Sequence, residues 1–436
     1  MRPFSRRRFL HLGSLTAAAA AVVPVRAQRQ QGEAAARPLP KSFAGLSSMK
    51  ARAKPITADE RRARIARARE LMHEAALGGI VLTGGTSLDY FSNIRWGLSE
   101  RFFALVLPAT GNPFVVSPAF EEGRAREQLA GSPFGEQVDV RVWQEDENPY
   151  ERVAQGLRDR GLATGRLGVE ETVKFVFSDG IHQAAPALTI ASATPVTAGC
   201  RMIKSPAEMA LMRLGSQVTI RAYEAAYRAM REGMTQADFG QLVSDAHERL
   251  GFPGGASVQV GAYSALPHGS RTPQVIRDGT ILLIDGGCTV EGYHSDISRT
   301  FVLGKPTDKM RKVFEIEQRA QKAALAAARP GVEAQSVDAA ARKVIVDAGY
   351  GPDYKYFTHR VGHGIGLDEH EWPYLVRGDA MRLKPQMVFS DEPGIYIPGE
   401  FGIRLEDDMH ITESGAELFT TPSPSLDEPF GHRATD

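Results

Sequence analysis

Between Gly79 and Glu170 the chain repeats one rhythm. Short runs rich in β-branched and aromatic residues, "GIVLT", "FFALVLP", "PFVVS", "VDVRVW" and "RLGVE", are separated by helical patterns near Phe120–Ala130 and Tyr150–Gly161. Strands of this length alternating with helices predict an α/β domain, spanning 56–197. Its first helix is announced by Thr57 and Glu60, a capping-box pair followed by "RRARIARARELMHEAAL" and closed by Gly78 and Gly79.

A second unit begins at Ser205 and is predicted to run over 205–425. Ser205 reads as an N-cap, with Pro206 at the first helical position and Glu208 three residues after the cap. Another helix is expected from Thr235. Beyond Gly254 strands and turns dominate, interrupted by predicted helices over 307–328 and 335–348, so this unit is α+β. A chain of 436 residues accommodates two such domains. Its 42% hydrophobic and 24% charged content is that of a folded, soluble protein. Basic and acidic residues balance at 52 each, without a basic stripe, which excludes the usual signature of nucleic-acid binding.

The N-terminus has a different character. "SRRRFL" followed by an alanine-rich run resembles the twin-arginine export signal of bacteria, with cleavage expected after Ala27. The run is short and weakly apolar, so no stable membrane insertion is expected after cleavage. Removal of 1–27 takes away five arginines and no acid, leaving the mature chain acidic. The expected location is periplasmic or secreted. Residues 28–55 are rich in Gln, Ala and Pro without periodicity and read as a linker. Two cysteines, Cys200 and Cys288, cannot form a disulfide framework and read as separate thiols.

The chemistry gathers at strand ends of the second unit. "TILLIDGG" ends an apolar strand at Asp285, and Asp296 precedes another β-branched run. "VFSDEPG" sets Glu392 after a strand, and "GIRLEDD" sets Glu406 two residues from Arg404. "HRVGHGIGLDEHEWP" adds His359, His363 and His370 among three glycines. Four carboxylates together cannot all stay ionised without cations. Oxygen donors with one imidazole suit a pair of Mn²⁺-, Co²⁺- or Zn²⁺-like ions rather than a structural zinc.

The ordered set "DGG", "SDISRT", "HGIGL", "EPGIY" and "RLED" resembles the M24 metallopeptidases, the pita-bread enzymes that include methionine aminopeptidases, prolidases and Xaa-Pro aminopeptidases. The resemblance implies that Asp285, Asp296, His363, Glu392 and Glu406 are metal ligands for two divalent transition-metal ions, Mn²⁺ ahead of Co²⁺ or Zn²⁺. It implies that Glu392 is also the general base and that His370 holds the substrate carbonyl. His268 would stand on the leaving side, and His359 would line a prolyl pocket. Arg404 would touch substrate or, with Asp407, orient the ligands. Gly362, Gly364 and Gly366 would let the backbone approach metals and peptide.

The long N-terminal domain resembles the creatinase/prolidase branch, in which Trp96 is either a pocket residue or core. That branch implies hydrolysis of the N-terminal Xaa-Pro bond of proline-containing peptides by a homodimer or homotetramer. No residue clearly matches a clamp for a dipeptide carboxylate, so the expectation leans toward a cleft open to longer peptides. Two alternatives share the fold. A creatinase-like C–N hydrolase lacks the full ligand set, and an inactive peptide-binding module needs none of it.

Overall fold

Each apolar run of the N-terminal half becomes a strand. The computed structural model describes residues 39–431, so the expected signal over 1–27 lies outside the described residues. Six strands form one sheet: β1 (Gly79–Thr83), β2 (Ala104–Pro108), β3 (Phe114–Pro118), β4 (Asp139–Trp143), β5 (Gly165–Val169) and β6 (Leu188–Ser192). Their order is β4-β3-β2-β1-β5-β6. β1, β2 and β3 are buried along their whole length. Ile80 and Leu82 face one core, Val81 the other, so both faces are covered and the runs read as continuously apolar.

Helices α1 (Ala58–Glu74), α2 (Thr86–Ser92), α3 (Glu122–Ala130), α4 (Pro149–Arg158), α5 (Phe175–Ala184) and α6 (Thr194–Arg201) supply that cover. Thr57 caps α1 by accepting from the Glu60 amide at 3.2 Å. The reciprocal half of the expected capping box is absent, because the Glu60 carboxylate is taken by Ser205 Oγ and by Arg64 at 3.4 Å. Trp96 is core: it stacks on Phe103 at 3.8 Å and is capped by the Arg124 guanidinium. Both cysteines are free and buried, in separate cores.

The second half opens with α7 (Pro206–Ala229) and α8 (Gln236–Leu250). Both carry complete capping boxes, Ser205 with Glu208 and Thr235 with Asp238. An antiparallel three-stranded sheet follows, made of β7 (Ser257–Val260), β8 (Ile281–Gly286) and β11 (Ile297–Val302). The small hairpin β9 (Thr289–Val290) and β10 (Tyr293–His294) joins the last two. After α9 (Asp308–Ala327) and α10 (Ala334–Asp347) come β12 (Gly362–Gly364), β13 (Glu371–Leu375), β14 (Val388–Asp391), β15 (Gly394–Ile397), β16 (Phe401–Arg404), β17 (Asp407–Ile411) and β18 (Ala416–Leu418). Five of these form a sheet in the order β13-β12-β14-β17-β18.

The linker expected over 28–55 is, from Lys41 on, part of the folded unit. Two 3-10 turns, Lys41–Phe43 and Lys50–Arg52, carry Phe43 and Met49 into the α7/α8 core beside Leu211, Val218 and Leu250. The Met49 amide donates to the Leu250 carbonyl at 2.8 Å. Phe43 and Met49, with partly buried Leu46 and Ile56, are scattered through an otherwise polar stretch without a period, and so give no sequence signal of packing.

Candidate metal centre

Two antiparallel strand pairs use the same device to bring acids together. In the first, Asp285 lies near the end of β8 and Asp296 just before β11, and Asp285 is in register with Ser298. In the second, Glu392 follows β14 and Glu406 precedes β17, where Asp391 is in register with Asp407. Where one strand ends and its antiparallel partner begins, the side chains share one sheet edge. His363 comes from β12, the neighbour of β14. The result is two overlapping groups, Asp285–Asp296–Glu406 and His363–Glu392–Glu406, each with ligand atoms within 4.8 Å of one another.

Named contacts fix these side chains. The Arg404 guanidinium pairs with Asp285 Oδ2 at 2.5 Å and approaches Glu406 at 3.8 Å. Its Nε donates to Ser298 Oγ at 2.8 Å, and that hydroxyl lies 2.8 Å from Asp285 Oδ1 and 2.6 Å from Glu406 Oε2. The buried Arg299 donates to the Glu406 carbonyl at 2.8 Å and pairs with Asp407 at 2.6 Å. Asp407 therefore acts on the Glu406 backbone through Arg299, rather than on a carboxylate directly. Ser390 accepts from the His363 amide at 3.0 Å and donates to Glu392 Oε1 at 3.2 Å.

His268, His359 and His370 line one cavity of about 430 Å³ with His363 and the acids. His359 Nδ1 faces the Arg360 carbonyl at 2.8 Å, which can only accept, so its Nε2 accepts from the Tyr396 hydroxyl at 2.7 Å. Burial and the neighbouring Arg404 push His359 down to about 3, so it is neutral at physiological pH. The His370 ring stacks on His363 with centroids 3.7 Å apart, and Arg360 Nη2 approaches its Nδ1 at 3.4 Å. His370 also falls within ligand reach of Asp296 and His363. His268 is exposed at the rim.

Arg404 is 3% exposed and spent on Asp285, Ser298, Tyr396 and the Pro267 carbonyl. These contacts let it orient the acids, and it also lines the cavity.

Gly362, Gly364 and Gly366 are enclosed by protein neighbours. None of the three has a positive φ. A Cβ at Gly362 would meet the Ser390 carbonyl oxygen at 2.1 Å, and one at Gly364 the Glu371 carbonyl oxygen at 2.6 Å. At Gly366 it would meet Glu371 Oε1 at 2.6 Å. They make room for neighbouring protein strands and side chains. The sequence reading left Ser298 and Arg299 unassigned, although both stand inside the "SDISRT" motif.

The chain matches Metallopeptidase family M24 over residues 210–413 and the Creatinase/Prolidase N-terminal domain over residues 64–203. It is 37% identical to the probable dipeptidase PepE of Mycobacterium bovis, over 81% of this chain and 92% of that protein. It is 32% identical to the Xaa-Pro dipeptidase of Lactobacillus delbrueckii subsp. lactis, over 81% and 96%. The crystal structure of dipeptidase PepE from Mycobacterium ulcerans superposes with a TM-score of 0.80 at 35% identity, covering 86% of this chain and 99% of that one. The chain belongs to the M24 metallopeptidases.

Its architecture is therefore the pita-bread catalytic domain preceded by a creatinase-type domain. M24 enzymes are dinuclear and metal-dependent, and the donor set fits that requirement. His363 Nδ1 lies 3.1 Å from the Gly364 carbonyl, so it carries the proton and Nε2 presents a lone pair. That lone pair faces Glu392 Oε1 at 3.3 Å and Asp296 Oδ2 at 3.8 Å. Lone pair against carboxylate is repulsive unless a cation or proton intervenes. Burial, then the surrounding acids, push Asp296 and Glu406 well up, and burial pushes Glu392 up to about 7. Burial acts most strongly on Asp285 and raises it, but Arg404 together with the Ser298 and Glu406 hydrogen bonds and nearby His363 leaves it below its ordinary value.

These shifts contribute to the stability of the metal-free enzyme, opposed by His359 and His363, which burial pushes down. Three of the acids have folded values above their unfolded ones, near 4. The folded state then keeps protons that the unfolded chain releases, so this stabilisation is full below about pH 4 and fades as pH rises through about 7. Metal-free protein should melt at a lower temperature at pH 8 than at pH 5.5, and added Mn²⁺ should raise Tm more at pH 8. Equal metal-induced shifts in the two melts would contradict this electrostatic account.

Proposed function

We propose that this M24 peptidase is an Mn²⁺-dependent Xaa-Pro dipeptidase that works after export. The observation that carries the reading is one cavity shared by the acids, His359, His370 and a guanidinium without an acid partner. Arg360 lies over the Tyr374 ring at 4.1 Å, and among the described residues no carboxylate comes within ion-pair distance of it. A free cation beside the cavity suits the C-terminal carboxylate of a two-residue substrate. The dipeptidases among the relatives support the same choice, against the leaning toward longer peptides.

Asp285, Asp296, His363, Glu392 and Glu406 would hold the two ions, and the oxygen-rich set would favour Mn²⁺. When bound, the pair supplies a nucleophile at neutral pH and polarises the scissile carbonyl. Glu392 Oε1 takes the proton of the attacking water and returns it to the prolyl nitrogen as the C–N bond breaks. With Arg360 donating toward Nδ1, His370 keeps its proton on Nε2 and donates it in a hydrogen bond to the carbonyl oxygen as charge develops there. That neighbouring cation also argues for His370 as a substrate contact rather than a ligand. His268 assists on the leaving side, and neutral His359 walls the prolyl ring, which lacks an N–H and has φ near −65°.

A comparison of Ala-Pro, Ala-Ala, Ala-Pro-amide and Ala-Pro-Leu with Mn²⁺-reconstituted enzyme tests the reading. Ala-Pro should exceed Ala-Ala in kcat/KM by about tenfold or more. Removing the carboxylate as the amide, or replacing Arg360→Gln, should each cost about ten- to a hundredfold, and together little more than either alone. Equal rates for Ala-Pro and Ala-Pro-Leu would make it an aminopeptidase. Equal rates for Ala-Pro and Ala-Ala would remove the proline preference.

The "SRRRFL" stretch supports export of the folded enzyme to the periplasm by the twin-arginine route. Exposed Leu98, Phe120 and Phe175 support a homo-oligomer there. Arg6→Lys with Arg7→Lys should hold the protein in the cytoplasm in a fractionation assay. Unchanged periplasmic levels would exclude this route.

A further inference from the structure

His370 is aimed by its chain neighbours. Among the described residues its own ring touches His363 and Arg360, and neither contact is a strong hydrogen bond. The residues on both sides of it, in contrast, are held by the N-terminal domain and the segment after it. Arg201, at the end of α6, pairs with Asp368 at 2.6 Å and with Glu371. Lys204 pairs with the other Glu371 oxygen at 2.6 Å. Thr86, at the start of α2, donates to Asp368 at 2.5 Å. The Trp372 indole donates to Glu171 at 3.1 Å.

The centre of this network is buried: the side chains of Lys204 and Glu371 are 2% and 6% exposed. Gly366 completes it, because a Cβ there would occupy the space of Glu371 Oε1 and Lys204 Cε. β13 starts at Glu371, so His370 is the last residue before the anchored strand. A shift of Glu371 is transmitted to the imidazole through one peptide unit.

We propose that Arg201, Lys204 and Glu371 are positioning residues through which the creatinase-type domain aims His370 at the scissile carbonyl, so that this domain sets turnover rather than metal affinity. Apolar contacts would dock the two domains without fixing a direction. Buried ion pairs tolerate little displacement, since moving one partner strands the other charge. A misplacement of about 1 Å is worth up to about a hundredfold in rate.

The inference rests on His370 being the carbonyl contact, and a double-mutant cycle separates the two ideas. Ala-Pro kinetics and metal content are measured for the full chain, wild type and Arg201→Met, Arg201→Lys, Asp368→Asn, His370→Ala and His370→Ala/Arg201→Met. Arg201→Met should lower kcat by about ten- to a hundredfold, with KM within about threefold and metal content unchanged. Arg201→Lys should recover part of the loss. In the His370→Ala background, Arg201→Met should cost less than about threefold. An equal loss in both backgrounds would make the network merely structural and overturn the proposal. Full turnover in His370→Ala would overturn the assignment of His370 itself. If Arg201→Met does not fold, Asp368→Asn carries the same comparison, because Asp368 is 41% exposed and its loss leaves Arg201 paired with Glu371.

Discussion

The Arg404 guanidinium lies where the acids from both strand pairs meet. Without a positive charge there, the two β-structures that supply the acids would repel at the edge where they must converge. Arg404 meets Asp285 from one sheet and Glu406 from the other, and Ser298 bridges the same two carboxylates. One fixed cation cannot neutralise four carboxylates. It lowers Asp285 and leaves Asp296, Glu392 and Glu406 raised. The remaining demand for positive charge is what makes the edge a metal centre rather than a salt bridge.

Everything nearby serves that convergence. Arg299 holds the backbone of Glu406, and Ser390 holds His363 and Glu392 together. On α10, Arg342 pairs with Asp338 and donates to the Phe357 and His359 carbonyls, while Asp338 accepts from the Val361 amide. One buried ion pair thus shapes the segment that carries both His359 and Arg360. Asp285, His363, Glu392 and Glu406 are each held by a partner with contacts of its own.

The fold was legible where local pattern and burial coincide. β1 to β3 are short apolar runs because both faces of their sheet are covered, and α7 announces itself through Ser205, Pro206 and Glu208. The acids were legible as an ordered set of motifs and not as individuals, since an acid at a strand end usually just forms a turn. Phe43 and Met49 carried no signal, because two side chains can anchor a strap without any periodicity. The glycine-rich "GHGIG" suggested open backbone, yet β12 is a buried inner strand, and its glycines answer to Ser390, Glu371 and Trp372. Nor can a sequence announce what Arg360 lacks. That no acid among the described residues pairs with this guanidinium is visible only once its neighbours are in place.

Glu406 belongs to both ligand groups, so it offers the sharpest test that these side chains form one dinuclear centre. The measurement is metal content per chain by inductively coupled plasma mass spectrometry, after Mn²⁺ loading and removal of free ions, for wild type and Glu406→Gln. The account predicts two equivalents in the wild type and loss of both in the variant, because Glu406 is common to both donor groups. Two equivalents retained by Glu406→Gln, or one in the wild type, would contradict it.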